Sequence, residues 1–173
     1  MHIFGPATRY SYIDARDYTP ADALIEDYRA MCDTLGIERT VVVQPSIYGL
    51  DHQCTAEAVE ILGDRGRGVA VLDTDVHDGE LERLHAIGFR GMRFNLVNAG
   101  GVAATALETM AARVAEYGWH VQVMIHGPDL GDLDQRLRAL PVDVVIDHMG
   151  RMDAAAGINQ PGFRALLGLV EAG

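Results

Sequence analysis

Short runs of β-branched and other apolar residues alternate along the chain with longer segments that carry apolar residues at helical spacing. Strands are predicted at residues 2–4, 40–44, 68–72, 91–94, 120–125 and 143–147. Helices are predicted at residues 20–35, 53–64, 79–86, 103–117, 130–139 and 161–170. Regular alternation of strands and helices is typical of repeated βαβ units, so the pattern predicts an α/β protein built on a parallel sheet.

The spacing of these units favours a barrel without excluding an open sheet. Successive strands lie at intervals close to the roughly 31 residues per unit of an eight-unit (β/α)8 TIM barrel of about 250 residues. The chain has 173 residues, so it would hold about six βα units of an incomplete barrel. A doubly wound open sheet produces a similar alternation, and periodicity alone does not separate the two folds. No linker or low-complexity tract divides the sequence, and residues 1–173 are expected to form a single domain.

The charge pattern narrows the range of partners. The chain has 14 Lys and Arg against 25 Asp and Glu, a formal net charge of −11, and no basic run. Nucleic acid is therefore not an expected partner. No apolar run approaches the roughly 20 residues of a membrane span, and the N-terminus lacks the basic and apolar regions of a signal peptide. We expect a cytoplasmic protein with no membrane partner.

Polar residues at the carboxyl ends of predicted strands are the candidates for chemistry, because the active site of a parallel barrel lies at that rim. Arg93 and Asn95 share one face of the fourth strand, while Met92 and Phe94 point toward the helices. An arginine inside a barrel needs a partner, since an isolated buried charge is costly. That partner is either a structural carboxylate or an anionic substrate, which a guanidinium group grips through two hydrogen bonds. The position of Arg93 favours the substrate.

Histidines stand at three of the predicted strands. His2 opens the first strand, and His126 ends the fifth on the face shared with Gln122. At the end of the sixth strand an apolar run leads into Asp147 and His148, the sharpest local signal in the chain. His148 suits general acid–base chemistry, oxyanion stabilisation or metal binding. The alternative for each histidine is a structural or solvated side chain.

Four of these strand-end segments, taken in order, resemble the amidohydrolase-related family. They are the runs HIFGP at 2–6, QPSIYG at 44–49, GMRFN at 91–95 and DHMGR at 147–151. Within the amidohydrolase superfamily, the resemblance is to the branch of 2-pyrone-4,6-dicarboxylate hydrolases and sugar-lactone hydrolases, and it extends over essentially the whole chain. It implies a distorted (β/α)8 barrel of the metal-dependent hydrolase type and hydrolysis of a lactone that often bears carboxylates.

The resemblance also implies roles for single residues. His2 matches the second histidine of the family's His-x-His motif, and His148 matches a later catalytic histidine; both are implied to polarise the lactone carbonyl and stabilise the oxyanion. The residues implied to contact the substrate are Ser46, Tyr48, Arg93, Asn95 and Arg151. No firmly bound cofactor is expected. A zinc or manganese ion would need about three protein ligands, for which His2, His126 and His148 are the candidates.

The family pattern contains two elements that this sequence lacks. One is the first histidine of His-x-His, and the other is an Asp general base in a Thr-Asp-Trp-Pro-like run on the last strand. We therefore expect the N-terminal three-quarters of a barrel, truncated at the C-terminus and also at the N-terminus. The expected partner is a small anionic lactone substrate, and the open barrel favours homo-oligomers or self-association. Two alternatives stay open: a metal-dependent amidohydrolase or decarboxylase on the same barrel, and a catalytically inactive fragment.

Overall fold

Strands and helices alternate through residues 1–172, the part of the chain that this computed structural model describes. The strands are β1 (Thr40–Val43), β2 (Gly66–Ala70), β3 (Phe89–Asn95), β4 (His120–Met124) and β5 (Val144–Ile146). The helices are α1 (Ile25–Leu35), α2 (Gln53–Leu62), α3 (Asp78–Ile87), α4 (Leu107–Ala115), α5 (Leu130–Arg138) and α6 (Pro161–Ala172). The predicted alternation is confirmed, with five strands in place of the expected six.

These five strands form one parallel sheet in the order β1-β2-β3-β4-β5. Each strand lies beside the next strand in sequence, as in a (β/α)8 barrel, whereas the order of a doubly wound sheet reverses at a switch point. The register places Arg93 of β3 beside Gln122 of β4, and Gln122 beside Val145 of β5. Because side chains alternate along every strand, residues in register share one face of the sheet.

The first predicted strand, at residues 2–4, is not a strand in the structure. The segment begins beside β1, where the Val43 amide donates to the Met1 carbonyl at 2.8 Å. Phe4 then forms an antiparallel bridge with Ala23 through backbone hydrogen bonds of 3.0 and 2.8 Å. The same bridge delays α1, which begins at Ile25 and not at residue 20, because backbone paired in a bridge is extended and cannot also be helical.

Helices cover one face of the sheet and bury its apolar side chains. Met92 and Phe94 of β3 are fully buried in the same core cluster as Leu84 of α3 and Met110 of α4. Arg93 lies between them in sequence and is buried on the opposite face. This arrangement confirms the alternation predicted for the strand, and it directs polar side chains to the inner face of the sheet.

β5 lies at one edge of the sheet, and among residues 1–172 it pairs only with β4. Beside it, α5 and α6 border an apolar groove of about 840 Å³. Val145, Leu167 and Val170 are exposed near this edge. A strand edge next to apolar helix surface is a template for further β structure or for another chain.

The helices of residues 1–172 are too short or too polar for any of them to span a lipid bilayer.

Candidate active site

A hydrogen-bonded cluster joins Arg93 in the carboxyl-terminal half of β3, Gln122 at the centre of β4 and Asp147 directly after β5. Arg93 donates from Nε and Nη2 to Oδ2 of Asp147 at 3.1 and 2.9 Å. Gln122 donates from Nε2 to Oδ1 of the same carboxylate at 2.6 Å. The side chains of Arg93 and Asp147 are only 3% and 12% exposed. The buried charges are thus paired and both carboxylate oxygens are hydrogen-bonded, as burial of an ion pair requires.

The guanidinium group of Arg93 has little capacity left for a second anion. Its Nη1 donates to the Gln44 carbonyl at 3.1 Å, and its Nη2 contacts the Met124 sulfur at 3.0 Å. Together with the two bonds to Asp147, these contacts engage all but one of the five N–H groups of a guanidinium. Contact between Arg93 and a substrate carboxylate therefore stays a prediction, for which one N–H group remains. Its partner is the structural carboxylate of the other alternative.

His2 lies close to this cluster, beside the end of β1. Its Nδ1 lies 2.6 Å from the Val43 carbonyl oxygen. Because a carbonyl oxygen only accepts, Nδ1 carries the proton, and in the neutral ring Nε2 keeps a free lone pair. Burial lowers the pKa of His2; the charge of Arg93 lowers it further, while the Val43 hydrogen bond and Asp147 act in the opposite direction. His2 is therefore a neutral base near pH 7, within electrostatic reach of the ion pair.

The segment after β1 forms a buried turn whose shape depends on Gln44. The side-chain amide nitrogen Nε2 of Gln44 donates to the carbonyl oxygens of Gly49 and Asp51 at 2.8 and 3.2 Å. Its Oε1 accepts a hydrogen bond from the Val71 amide at 2.8 Å. Ser46 lies within this turn and is 5% exposed. Gln44 thus joins the ends of β1 and β2 and fixes the backbone on which Ser46 sits.

Tyr48, expected to bind substrate, belongs to the core. It is 2% exposed, and its hydroxyl accepts a hydrogen bond from the Gly5 amide at 3.0 Å. Its ring centroid lies 6.4 Å from that of Tyr10 and 5.6 Å from that of Tyr12. Burial raises the pKa of the Tyr48 phenol far above its ordinary value, so the hydroxyl stays protonated. This side chain fills the space between the turn and the N-terminal segment, and its contact with substrate stays a prediction.

Asn95 is the last residue of β3, and only the oxygen atom of its side-chain amide is hydrogen-bonded within the described residues. Its Oδ1 accepts hydrogen bonds from the amides of Val97 and Asn98 at 3.1 and 3.0 Å. These contacts identify the oxygen atom, so Nδ2 faces elsewhere. Within the described residues this Nδ2 is buried and has no hydrogen-bond partner. An unpaired buried donor is costly, and an acceptor on a bound ligand would satisfy it.

A strained turn of residues 148–151 follows Asp147. His148, Met149 and Arg151 have φ values of 52°, 51° and 50°. This left-handed region costs an L-residue roughly 1–2 kcal/mol. The side chains of His148 and Arg151 are exposed, and none of the hydrogen bonds or ion pairs recorded for residues 1–172 involves either side chain. Strain of this kind concentrates at functional loops, which makes the 148–151 turn a candidate for substrate contact.

The three candidate metal ligands do not assemble into a metal site. In residues 1–172, no group of three or more His, Cys, Asp or Glu side chains is placed to hold an ion. Asp147 is already engaged by Arg93, and the positive charge of Arg93 opposes a cation beside His2. His126 is exposed beyond the end of β4. The residues present therefore do not fit a tightly bound zinc or manganese ion.

Two members of the cluster, Asp147 and Gln122, have no role that is predicted from the sequence. Each gave a usable signal, since Gln122 shares a face of β4 with Met124 and Asp147 stands at the tip of an apolar strand. Their pairing with Arg93 depends on distances across three strands. The spacing of residues along the sequence does not give those distances, so the cluster could not be predicted from it.

Comparison with known proteins gives consistent relatives. The amidohydrolase family matches residues 1–173. A 2-pyrone-4,6-dicarboxylate hydrolase of Comamonas testosteroni is 38% identical over 168 residues, which are 96% of this chain and 55% of that protein. A 4-sulfomuconolactone hydrolase of Hydrogenophaga intermedia is 35% identical over 173 residues, covering 98% of this chain and 57% of that protein. The chain thus spans somewhat more than half the length of the curated relatives it matches.

A solved structure shares the fold. It is the crystal structure of a probable 2-pyrone-4,6-dicarboxylic acid hydrolase from Acinetobacter baumannii with citric acid bound. The two chains are 29% identical and align with a TM-score of 0.86, which covers 97% of this chain and 63% of that one. The family match over the full length, the unreversed order of the parallel strands and this structural likeness agree, and the chain belongs to the amidohydrolase family.

Proposed function

We propose that this protein hydrolyses a lactone that bears a carboxylate or a comparable anionic group. The observation that carries the proposal is the placing of His2, the Arg93–Asp147 pair and the 148–151 turn at the carboxyl ends of parallel strands. The substrate class is supported by relatives named for 2-pyrone-4,6-dicarboxylate and 4-sulfomuconolactone. The citric acid in the related crystal structure is also a compact organic anion.

Arg151 is the best candidate to bind the anionic group of the substrate. Its side chain is exposed at the rim, and the hydrogen bonds of the described residues leave its guanidinium group uncommitted. A guanidinium binds a carboxylate through two parallel hydrogen bonds, which orients the substrate as well as holding it. Asn95 and Ser46 would contribute single hydrogen bonds, in particular through the unpaired Nδ2 of Asn95.

The reaction adds water to the lactone carbonyl and then breaks the ring C–O bond, which leaves a carboxylic acid and a hydroxyl group. We assign His2 to the attacking water, because its neutral Nε2 accepts a hydrogen bond or a proton. We assign His148 to the carbonyl oxygen, to which a ring N–H donates as negative charge develops. This division differs from the expectation that both histidines polarise the carbonyl. The single N–H of neutral His2, at Nδ1, is already hydrogen-bonded to the Val43 carbonyl oxygen and is therefore not free to donate to the lactone.

The proposal is tested by the turnover of lactones by the purified protein. Ring opening of 2-pyrone-4,6-dicarboxylate is followed by the loss of the pyrone absorbance, with uncharged lactones as the comparison. His148→Asn suits a left-handed backbone and should lower kcat by about 100- to 1,000-fold, the usual effect of losing an oxyanion donor. His77→Asn changes an exposed histidine just before α3 that forms no hydrogen bond with Arg93, Gln122 or Asp147, and it should leave kcat unchanged. Absence of turnover in the parent protein for every anionic lactone would contradict the proposal.

The same assay tests the expectation about metals. Because the described residues do not fit a tightly bound ion, incubation with a chelator should leave kcat unchanged. Elemental analysis of the purified protein should find zinc and manganese well below one ion per chain. Stoichiometric metal together with loss of turnover on chelation would contradict this part of the proposal.

A further inference from the structure

The tip of β5 is held to the rest of the sheet by very few backbone contacts. β5 has only three residues, Val144–Ile146, and among residues 1–172 it pairs only with β4. The paired residues end with Val123 beside Ile146, one residue before Asp147. Ladder hydrogen bonds therefore stop before the 148–151 turn, and something else must keep the turn in place.

The turn itself does not account for its own conformation. His148, Met149 and Arg151 occupy the left-handed region, and Met149 is 75% exposed. Strained residues persist only where their surroundings determine their conformation. Gly150 is buried inside the turn, but the exposed side chains of His148, Met149 and Arg151 make few such contacts, so much of the constraint has to come from the ends of the turn.

The carboxylate of Asp147 supplies that constraint at the first end. One oxygen accepts from Arg93 on β3 and the other from Gln122 on β4. A single side chain thus connects the end of β5 to β3 and β4 at the point where the turn begins. The connection is buried and charge-assisted, which makes it stronger than an exposed contact of the same geometry.

We infer that Asp147 is a positioning residue, which uses Arg93 and Gln122 to hold the 148–151 turn so that His148 and Arg151 face a substrate at the rim. In this arrangement Arg93 acts as the counter-ion of Asp147, and Arg151 is the arginine that meets the substrate anion. The part of the inference that concerns catalysis rests on the proposed function. The part that concerns the conformation of the turn does not.

The test compares Asp147→Asn with Asp143→Asn in the full chain. Asp143 lies at the opposite end of the same strand, and its side chain is exposed, so it provides a matched control for the same chemical change. Backbone 15N relaxation is measured for residues 148–151. We expect order parameters near 0.85 in the parent protein and in Asp143→Asn, and below about 0.6 in Asp147→Asn, the values of rigid and flexible backbone. A turn as rigid in folded Asp147→Asn as in the parent protein would overturn the inference.

A second variant covers the case in which Asp147→Asn does not fold. Gln122→Met keeps a similar volume and removes one hydrogen bond of Asp147 while leaving its ion pair intact. It should fold and lower the order parameters of the turn by a smaller amount. Unchanged values in Gln122→Met, in combination with an unfolded Asp147→Asn, would count against a positioning role.

Kinetic measurements separate positioning from a general effect on stability. Misplacement of a catalytic group by about 1 Å lowers rates by roughly 100-fold. Asp147→Asn should therefore lower kcat and raise KM, because His148 and Arg151 move together. Simple loss of folded protein would lower the apparent kcat without changing KM. If the parent protein hydrolyses no lactone, the proposed function fails, and the relaxation measurement still decides the role of Asp147.

Discussion

The ion pair between Arg93 and Asp147 joins β3 to the end of β5 on the inner face of the sheet. Its side chains are 3% and 12% exposed, and it links strands that are not neighbours. A buried pair of this kind adds little net stability compared with apolar residues, yet it becomes a large liability when one partner is lost. The intact pair is therefore expected to add little to the free energy of unfolding, whereas the loss of either partner alone should lower it strongly.

Loss of Arg93 alone should be severely destabilising. Arg93→Met leaves the buried Asp147 carboxylate without its counter-ion and should lower the free energy of unfolding by about 3–5 kcal/mol. The double variant Arg93→Met with Asp147→Leu removes both charges and should recover most of that loss. Urea denaturation followed by circular dichroism measures both. A double variant no more stable than Arg93→Met would mean that the pair is not the source of the effect.

His2 should make stability fall as the solution is acidified. Burial lowers the pKa of His2 in the folded protein below the ordinary 6.5, so the unfolded chain binds the proton first. The stability that neutral His2 contributes is full above about pH 6.5 and is lost as pH falls toward the folded-state pKa, with a slope of at most about 1.4 kcal/mol per pH unit.

The control for this effect is His2→Asn, which retains a donor for the Val43 carbonyl and does not titrate. The difference in unfolding free energy between the two proteins should shrink steadily as the pH is lowered from 7 to 5. A difference that is constant over this range would show that the pKa of His2 is not lowered on folding.

Single positions also show how far the sequence could lead. The alternation in β3 predicts that Arg93 faces inward and needs a partner, and the structure confirms both. The identity of that partner was not predictable, because Asp147 is 54 residues away and reaches Arg93 across β4. Tyr48 shows the same limit, since a motif gives its place in the chain and not the direction of its ring.

At the scale of elements, the strands and helices follow from periodicity, and the deviations have local causes. The predicted helix from residue 20 begins at Ile25 because Ala23 pairs with Phe4. The predicted strand at 2–4 is reduced to that same bridge. Both differences arise from the bridge between Phe4 and Ala23. These residues are too far apart in the sequence for the local pattern of apolar and polar positions to reveal the contact. Order of the strands likewise required the structure, since open and closed parallel folds give the same alternation.

The packing of α6 against the loop after β4 depends on a glycine. A Cβ on Gly162, the second residue of α6, would lie 2.0 Å from the Gly127 carbonyl oxygen. Gly162→Ala should therefore lower the free energy of unfolding by about 1–3 kcal/mol, the cost of an overpacked contact. Thermal unfolding followed by calorimetry measures the change.

Gly131 provides the matched position, because it is the second residue of α5 and a Cβ there meets nothing within 4 Å. Gly131→Ala should raise stability by about 0.5–1 kcal/mol, since alanine loses less backbone entropy in a helix. Equal effects of the two substitutions would show that α6 is not packed against Gly127 in solution.

At the scale of the whole molecule, the dominant feature is the edge of the sheet at β5, which pairs only with β4 among residues 1–172. An apolar groove of about 840 Å³ lies between α5, α6 and this strand, and Leu167 and Val170 are 44% and 71% exposed. Apolar surface next to a free strand edge favours association with another chain. We expect the purified 173-residue protein to self-associate at micromolar concentrations, measured by sedimentation velocity.

Substitution on the groove tests whether this surface is responsible. Val170→Glu places a charge on exposed helix surface and should shift the protein toward monomer. Arg164→Glu, on the same helix and also exposed, is the control and should leave the association unchanged. A parent protein that sediments as a single monomer over the whole concentration range would contradict the prediction.

The claim on which the functional account depends is that His2 and His148 face the same bound anion. The direct measurement is a titration with 2-pyrone-4,6-dicarboxylate, in which the ring 1H and 15N signals of the histidines are recorded by NMR. The account predicts that the signals of His2 and His148 shift together with one dissociation constant, while those of His77 stay in place. Shifts confined to other histidines, or separate dissociation constants for His2 and His148, would contradict a shared site at this rim.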